Sequence, residues 1–211
     1  MDDLTLTVTL FAEPGPQNTE ATLRRALERA RELSLEHVVV ATDSGKTARR
    51  ALEVFAPGFT VIAVSNPPGM ELPLEMLHDY LPRFREHRRA LATSGVRSVP
   101  ASLSQEAVTS LEQRGAKVCR VDWQGVADYT QSDLGALDRV GIGLRVALTC
   151  CVAAQLRRQL APGLDVLALA GTGFGGGGAD TAIVVRTAAA WPDWRVLELI
   201  ARPRVSPPSE R

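Results

Sequence analysis

The sequence predicts an α/β protein with three layers, α/β/α, built around a mainly parallel and doubly wound sheet. The first observation is an alternation of strand and helix patterns along the N-terminal third of the chain, which is typical of this class. The second is that the strand patterns at 37–42 and 60–64 are apolar without polar alternation, as in parallel strands covered on both faces. The third is that two loops, 42–48 and 171–181, follow predicted strands, as ligand-binding loops do in open α/β sheets.

The first predicted strand, Leu4 to Phe11, alternates leucine or valine with threonine, which indicates a half-buried strand near a sheet edge. A Pro-Gly-Pro turn follows, and Asn18 or Thr19 is a suitable cap for an amphipathic helix that runs to about Leu35. The buried strand at 37–42 leads through a tight turn into a second helix. Its apolar residues recur at i, i+3, i+4 and i+7 (Ala48, Ala51, Leu52 and Phe55).

The middle of the chain is interrupted by prolines, and its pattern is less regular. Pro73 and Pro82 break a helical pattern, and Ser102 with Gln105 forms a possible capping box for a helix that ends at Gly115. Residues 122–134 have the composition of a loop. The remaining predicted elements are a strand at 117–121, a long helix that bends near Gly141 and Gly143 and ends near Leu160, and strands at 164–170, 182–186 and 196–201.

Length and composition fit one globular domain. The chain has 211 residues, of which 45% are hydrophobic and 23% charged, so it can bury a core without disulfides or metals. We expect a single domain over 1–202 and a loose, proline-rich tail over 203–211. The 24 basic and 24 acidic residues balance, which argues against a chain-wide electrostatic match to nucleic acid or an anionic membrane and leaves a local basic patch as the alternative. No nucleic-acid or membrane partner is expected.

The expected location is the cytoplasm. The three cysteines are odd in number and form no CxxC motif, which favours a reducing compartment. No apolar run reaches the roughly 18 residues of a membrane span, and the N-terminus lacks the pattern of a secretion signal.

The first candidate site is the turn from Thr42 to Ala48, between a buried strand and a helix. A helix N-terminus offers unpaired amides and the positive end of its dipole, while Ser44 and Thr47 add hydroxyls, Gly45 permits close approach and Lys46 adds charge. The position that a Walker A loop reserves for glycine is Val40, so the turn is not a P-loop. The alternative is that Ser44 only caps the helix.

The second candidate is the glycine loop at 171–181. Gly171, Gly173 and Gly176 fit GxGxxG, but a strand pattern follows the loop, whereas a dinucleotide-binding loop opens a helix. The loop's amides can still line an anion or a flat ligand. The alternative is a flexible connection between two strands. Asp180 is the acidic residue in this loop and is a candidate base or hydroxyl-binding group.

Other residues give weaker signals. The three histidines have no metal-site spacing, so no metal is expected. Cys150 and Cys151 lie in an apolar helical stretch, where packing is their expected role. Trp123 and Tyr129 either stack on a ligand ring or cover the edge of the core. The arginines around His87 fit a solvated helical face better than an anion site.

Three stretches together resemble a known family. FAEPGPQNT at 11–19 resembles the opening of small stand-alone proteins related to the C-terminal domain of pyruvate kinase. VVVATDSGKTA at 38–48 resembles the signature turn of that domain. GT at 171–172 and GADTA at 178–182 resemble its closing glycine loop, which is longer here. Together these stretches cover roughly a third of the chain, and the region 66–134 shows no resemblance.

The resemblance implies the same three-layer fold and a phosphate site. In pyruvate kinases the corresponding turn holds a phosphate of the allosteric sugar bisphosphate, and for the stand-alone relatives a ligand like flavin mononucleotide (FMN) is a fair suggestion. We expect no pyruvate kinase activity, because this domain accounts for the whole chain and the barrel that carries the kinase chemistry is absent. The expected ligand-binding residues are Asn18, Thr42, Ser44, Gly45, Lys46, Thr47, Gly171, Thr172, Gly173, Asp180 and Thr181.

Three hypotheses about function follow. The first is a small-molecule binding protein for a phosphorylated ligand, either FMN-like or a sugar phosphate, with the phosphate at Ser44, Gly45 and Thr47. The second is an enzyme that uses a flavin or converts a phosphate ester, with no recognised catalytic constellation. The third is a regulatory or oligomerising domain, with a homodimer face on the strand at 4–10 or on the long apolar helix.

Overall fold

The computed structural model describes residues 5–77, 81–172 and 178–204. Strands alternate with helices along most of this length, as the periodicity predicts. The strands are β1 (Thr9–Phe11), β2 (His37–Ala41), β3 (Thr60–Ser65), β4 (Glu71–Pro73), β5 (Ser98–Pro100), β6 (Lys117–Arg120), β7 (Asp165–Ala170), β8 (Thr181–Arg186) and β9 (Arg195–Pro203). The α-helices are α1 (Thr19–Glu32), α2 (Lys46–Phe55), α3 (Pro82–Thr93), α4 (Gln105–Gln113), α5 (Trp123–Thr130) and α6 (Ile142–Leu156).

Seven of the strands form one sheet in the order β1-β9-β8-β7-β2-β3-β6. Every neighbouring pair is parallel except the two pairs that involve β8. Helices α1, α2 and α4 pack on one face, and α5 and α6 pack on the other. The predicted three-layer α/β/α fold with a mainly parallel sheet is therefore confirmed.

The central strands are buried on both faces, which is why their sequences lack polar alternation. Val38 and Val40 of β2 pack toward α1 and α2, whereas Val39 packs toward α6. All three valines have no exposed surface. Eleven residues of α6 are buried as well, so this apolar helix serves the core of the chain and is not the exposed oligomer face that its composition suggested.

The first strand is shorter than predicted and its alternation is misleading. β1 begins only at Thr9 and pairs with the last three residues of β9. Leu10 is 57% exposed, and Leu6 and Val8 are exposed too, so the predicted buried face is wrong. The edge position is correct, because β1 lies at the end of the strand order and has β9 as its one neighbour in the sheet.

Three element predictions in the second half were wrong for local reasons. Residues 123–130 form helix α5 instead of a loop, because the Asp122 carboxylate caps it by accepting from Gly125 N (3.0 Å). Helix α4 is capped by Ser104, whose hydroxyl accepts from Ala107 N (3.1 Å), and not by Ser102. Gly141 precedes the first residue of α6, so the predicted bend is the start of that helix.

The irregular middle of the chain forms a small separate layer. β4 and β5 make a two-stranded antiparallel sheet, and α3 lies between them in sequence with no buried residue. At the other end of the chain, β9 continues through Pro203, the first residue of the predicted tail, and Arg204 N donates to Phe11 O (2.8 Å). Residues 205–211 lie outside the described part. None of the described helices has the length and apolar character needed to cross a membrane.

Candidate ligand-binding cleft

A cleft of about 280 Å³ lies over the carboxyl ends of β7, β2, β3 and β6. Both loops singled out in the sequence open onto it, because parallel strands end at the same sheet edge. Its floor includes Ala41, Val64 and Val121, which end β2, lie near the end of β3 and follow β6, together with α6 residues. The small β4–β5 layer forms the opposite wall, and Trp123 at the start of α5 also lines the cleft.

The turn after β2 is fixed by hydrogen bonds of Thr42 and by the conformation of Gly45. The buried Thr42 hydroxyl accepts from Gly45 N (3.1 Å), and Thr42 N donates to Val64 O (2.9 Å) on β3. Gly45 has φ +79°, and a Cβ there would lie 3.0 Å from Arg49 Nη1 and 3.3 Å from Leu103 Cδ2. Glycine is needed here for both reasons, since side chains disfavour this conformation and the space is filled.

Helix α2 therefore begins directly at the cleft. Its first backbone hydrogen bond in the described chain runs from Arg49 N to Gly45 O (2.9 Å), so no main-chain oxygen of the described residues takes the amides of Thr47 and Ala48. The hydroxyl-bearing residues Ser44 and Thr47 line the cleft. Ser44 approaches Lys46 N at only 3.5 Å, which leaves it a weak cap.

Lys46 does not line the cleft. It is exposed at the first position of α2, while the cationic side chain among the described lining residues is Arg145 of α6. Arg145 Nε donates to Asp138 Oδ1 at 2.5 Å, so part of its charge is balanced within the protein. The cleft is consequently only modestly positive at this wall.

Asp43, which was not among the predicted site residues, lines the cleft between Thr42 and Ser44. Burial raises the pKa of its carboxyl to about 6, while hydrogen bonds from Asn66 and the charge of Arg120 act in the opposite direction. Asn66 Nδ2 donates to Asp43 Oδ1 (3.2 Å). A half-buried acid at the end of a parallel strand is a feature of functional sites, and its position within the candidate turn was the available signal.

Asn66 and Ser65, at the end of β3, connect the turn to the β4–β5 side of the cleft. Asn66 Nδ2 also donates to Ala101 O (2.8 Å), and Ser65 Oγ accepts from Leu103 N (3.0 Å). Arg120 donates to Asn66 O (3.2 Å) and to Leu103 O (2.9 Å). These bonds hold the segment after β5 against the sheet edge and thereby shape the cleft.

The glycine loop contributes its two ends to the cleft. Gly171, Thr172 and Gly178 line it, and Gly173 lies outside the described residues. A Cβ on Gly171 would lie 2.5 Å from Gly178 O, and one on Gly178 would lie 2.6 Å from Pro16 Cα. The loop ends therefore pack backbone to backbone, and only glycine fits at these two points.

Asp180 and Thr181 do not line the cleft. The Asp180 carboxylate is buried (1% exposed) and accepts from Gly15 N (2.9 Å), Thr172 Oγ1 (2.6 Å) and Thr181 Oγ1 (3.1 Å), with a longer contact from Thr172 N (3.4 Å). Burial raises the pKa of this carboxyl despite those donors. Its oxygens are occupied by the protein, so the geometry gives Asp180 a positioning role and not the base or hydroxyl-binding role suggested by the loop.

Asn18 also lies apart from the cleft. Its side chain, nearly buried, donates from Nδ2 to Glu13 O (2.7 Å), and it does not cap α1. The neighbouring Thr19 hydroxyl accepts from Ala179 N (3.0 Å) and donates to Pro16 O (2.8 Å). The β1–α1 turn therefore supports the glycine loop from outside, which explains why the two stretches occur together in the sequence pattern.

A comparison with protein-family models matches residues 20–185 to the pyruvate kinase α/β domain. This match covers well over half of the 211-residue chain. The chain belongs to the pyruvate kinase α/β domain family. The resemblance seen in the three sequence stretches is confirmed, and the match also takes in the middle region where the sequence showed none.

Within this member of the pyruvate kinase α/β domain family, the structure brings together five of the predicted site residues. These five lining residues are Thr42, Ser44, Thr47, Gly171 and Thr172. Gly45 sets the turn without lining the cleft, while Asn18, Lys46, Asp180 and Thr181 lie outside it. Asn66 and Arg145 were missed together with Asp43. Asn66 lies two residues after the predicted strand at 60–64, and this position was a usable signal. Arg145 is one arginine in a long predicted helix, and nothing in the sequence marks it.

Metal binding receives no support from the described residues. Across 5–77, 81–172 and 178–204, no three His, Cys, Asp or Glu side chains cluster in a way that would hold a metal ion. The three cysteines are buried, and burial raises the pKa of Cys119 to about 11 and that of Cys150 well above its usual range. A thiol in this state is a poor nucleophile at neutral pH.

Proposed function

We propose that this protein binds a phosphorylated small molecule and that the phosphate sits at the turn between β2 and α2. The observation that carries the proposal is the start of α2 at the cleft, where unpaired amides and the Ser44 and Thr47 hydroxyls are available together. Amides and the positive end of the dipole at a helix N-terminus favour anions. Asp43 beside the turn opposes a dianion when it is ionised, so the donors must outweigh it.

The glycine loop supports the same proposal. Its ends at Gly171 and Gly178 bring backbone, without side chains, to the wall of the cleft near the turn. Bare backbone lets a ligand approach amides and carbonyls closely. Asp180 and Thr19 hold this loop from behind, so the wall is preorganised for binding.

The remaining walls fit the organic part of such a ligand. Most of them are apolar, including Met70, Met76 and Trp123, and mainly apolar walls with a few polar groups are typical of small-molecule sites. The volume of about 280 Å³ lies just below the range of about 300–1,000 Å³ that is typical of small-molecule sites, which favours a ligand the size of a sugar phosphate. FMN is the second candidate, because Trp123 is 44% exposed and its ring is available for stacking.

Native mass spectrometry of the purified protein tests the proposal, followed by denaturation and identification of any released small molecule. A retained phosphate ester that is lost in the Ser44→Ala, Thr47→Ala double variant supports it. The matched control is Ser94→Ala, Thr109→Ala, which removes two hydroxyls that bond only within α3 and α4. Full retention in the first double variant contradicts the proposed phosphate site.

An enzyme acting on the bound ester is the alternative, and Asp43 is the observation in its favour. It is the acid that lines the cleft among the described residues, with a pKa raised to about 6, which suits proton transfer near neutral pH. Turnover of an offered phosphate ester, or bleaching of a yellow protein by a reductant, favours this alternative. Binding without turnover of any offered donor counts against it.

A further alternative is that the protein forms a homodimer through its edge strand. Leu6, Val8 and Leu10 are exposed on β1 and the segment before it, and Val196 and Leu197 are exposed on β9. Exposed apolar sheet edges favour pairing with another chain. Light scattering decides this point: twice the 22.7 kDa chain mass supports it, and a monomer that binds ligand tightly contradicts it.

A further inference from the structure

Asp43 has acceptor capacity that the protein does not fill. An ionised carboxylate offers about four acceptor positions on its two oxygens. Among the described residues Asn66 is the one that donates to this carboxylate, from its backbone N–H and from Nδ2 to Oδ1 (3.2 Å), so about two positions stay open. The buried Asp180, by contrast, accepts from three different residues and lies away from the cleft. The unfilled carboxylate is the one that lines the cleft.

The orientation of Asp43 is set by its single partner. Asn66 Nδ2 also donates to Ala101 O (2.8 Å), and Asn66 O accepts from Arg120 Nη1 (3.2 Å). Because Ala101 O is an acceptor, the amide group places its nitrogen, and not its oxygen, toward Ala101 O and Asp43 Oδ1, while the bond from Arg120 holds the main chain of Asn66. Within the described part of the chain, no side chain other than that of Asn66 donates to the Asp43 carboxylate, and the second donor is the backbone N–H of Asn66.

The surroundings of Asp43 make a ligand the natural donor. The lining of the cleft includes Val64, Val121 and Cys150, none of which is a strong donor, and its donor side chains Thr149 and Arg145 make no hydrogen bond to Asp43 in the described part of the chain. A carboxylate in such surroundings gains most from a neutral hydroxyl or N–H group, since a hydrogen bond to a charged acceptor is about twice as strong as one between neutral groups. A second phosphate would be repelled at the same place.

We propose that Asp43 is the specificity-determining residue of the cleft and that it selects phosphate esters whose organic part carries a hydroxyl or N–H donor. The donor takes an acceptor position of the Asp43 carboxylate that the two Asn66 hydrogen bonds leave open. This inference rests on the proposed phosphate site at Ser44 and Thr47. It narrows the ligand to a phosphorylated polyol, sugar or ring N–H compound and excludes simple alkyl phosphates.

Two probes of equal length and charge test this selection. Ribitol 5-phosphate and n-pentyl phosphate share a five-carbon chain with a terminal phosphate and differ only in hydroxyls. Titration calorimetry gives the affinity ratio of the two probes for the wild type, Asp43→Ala, Asp43→Asn and the Ser44→Ala, Thr47→Ala double variant. Thermal melts show which variants are folded. If Asp43→Ala does not fold, the nearly isosteric Asp43→Asn still allows the test.

The wild type is expected to prefer ribitol 5-phosphate by roughly tenfold or more, the worth of a hydrogen bond to a charged group. Asp43→Ala removes most of that preference. Asp43→Asn gives an intermediate ratio, because its oxygen faces Asn66 Nδ2 and only a neutral NH₂ remains for the hydroxyl. The Ser44→Ala, Thr47→Ala variant weakens both probes together and leaves their ratio unchanged.

An undiminished preference in both Asp43 variants overturns the inference about Asp43 while the phosphate site stands. An equal affinity of the wild type for both probes does the same. If neither probe binds the wild type, or if both bind the Ser44→Ala, Thr47→Ala variant at full strength, the phosphate site itself is wrong and the inference falls with it.

Discussion

Two aspartates show how a neighbouring residue decides what a carboxylate does. Burial raises the pKa of both Asp43 and Asp180. Asp180 has its oxygens bonded to Gly15, Thr172 and Thr181, so it fixes loops. Asp43 has one donor residue, Asn66, and lines the cleft. From the sequence, the acid in the glycine loop was the more visible candidate, because partners distant in the chain cannot be read from local spacing.

The raised pKa of Asp43 predicts a pH-dependent stability. The folded pKa is about 6 against an ordinary value of 3.8, so between these values the folded state binds more protons and the free energy of unfolding falls as pH rises. The cost is fully present above about pH 6 and absent below about pH 4, and it amounts to about 1–2 kcal/mol after allowance for partial exposure. Urea unfolding of the wild type and Asp43→Asn at pH 4 to 7 measures it.

We expect Asp43→Asn to gain stability relative to the wild type as pH rises over that range, because the amide has no charge to bury. A stability difference that stays constant from pH 4 to pH 7 would show that the carboxyl titrates normally. The matched control is Asp128→Asn, which removes an exposed carboxyl on α5 and measures what the loss of one surface charge does to stability over the same pH range.

Among the secondary-structure elements, the buried strands were predicted most accurately from the sequence. β2, β3 and β7 were predicted within one or two residues, because burial on both faces demands unbroken apolar runs. Helix α5 was missed because its stability depends on the Asp122 cap and on Val126 packing against α6 residues. The exposed β1 was overextended because alternation shows period and not burial. The two loops of the cleft were predicted, but its β4–β5 wall was not, because that part of the sequence has no periodic pattern.

Gly143 marks the closest approach between α6 and β8. A Cβ there would lie 2.1 Å from Thr181 Oγ1 and 2.7 Å from Thr181 Cβ, so Gly143→Ala must push the helix from the sheet despite alanine's better helix propensity. We expect a loss of about 2–3 kcal/mol in the free energy of unfolding, measured by urea denaturation. Gly135→Ala, with nothing within 4 Å of the added Cβ, is the control, and equal losses in both variants would contradict this packing.

Asp180 connects the β1–α1 turn to the glycine loop, and its removal should separate these segments. Asp180→Ala leaves Gly15 N and the Thr172 hydroxyl without their buried acceptor, a loss of about 2–4 kcal/mol. Chemical denaturation gives the stability, and hydrogen exchange at Gly15 and Thr172 locates the effect. A fully stable variant that has lost ligand binding would instead make Asp180 a ligand-binding residue.

For the whole molecule, ligand binding and stability are linked. A phosphate ester that binds only the folded state at a concentration 100 times its Kd adds about 2.7 kcal/mol, which raises the Tm of a chain of this length by roughly 5–10 °C. Thermal melts with ribitol 5-phosphate measure this shift. It should vanish in the Ser44→Ala, Thr47→Ala variant, and an equal shift in that variant would mean that the ester binds elsewhere.

The pairing of β1 with β9 has a consequence for synthesis on the ribosome. Thr9 to Phe11 bond to Ala201 to Pro203, so the first strand has no partner until almost the whole described chain has been made. The central strands β2 and β3 can pair long before that. During synthesis the central strands can therefore pair while the first strand has no partner, and the sheet and the part of the core that contains Ile200 and Ala201 are completed only when β9 is available.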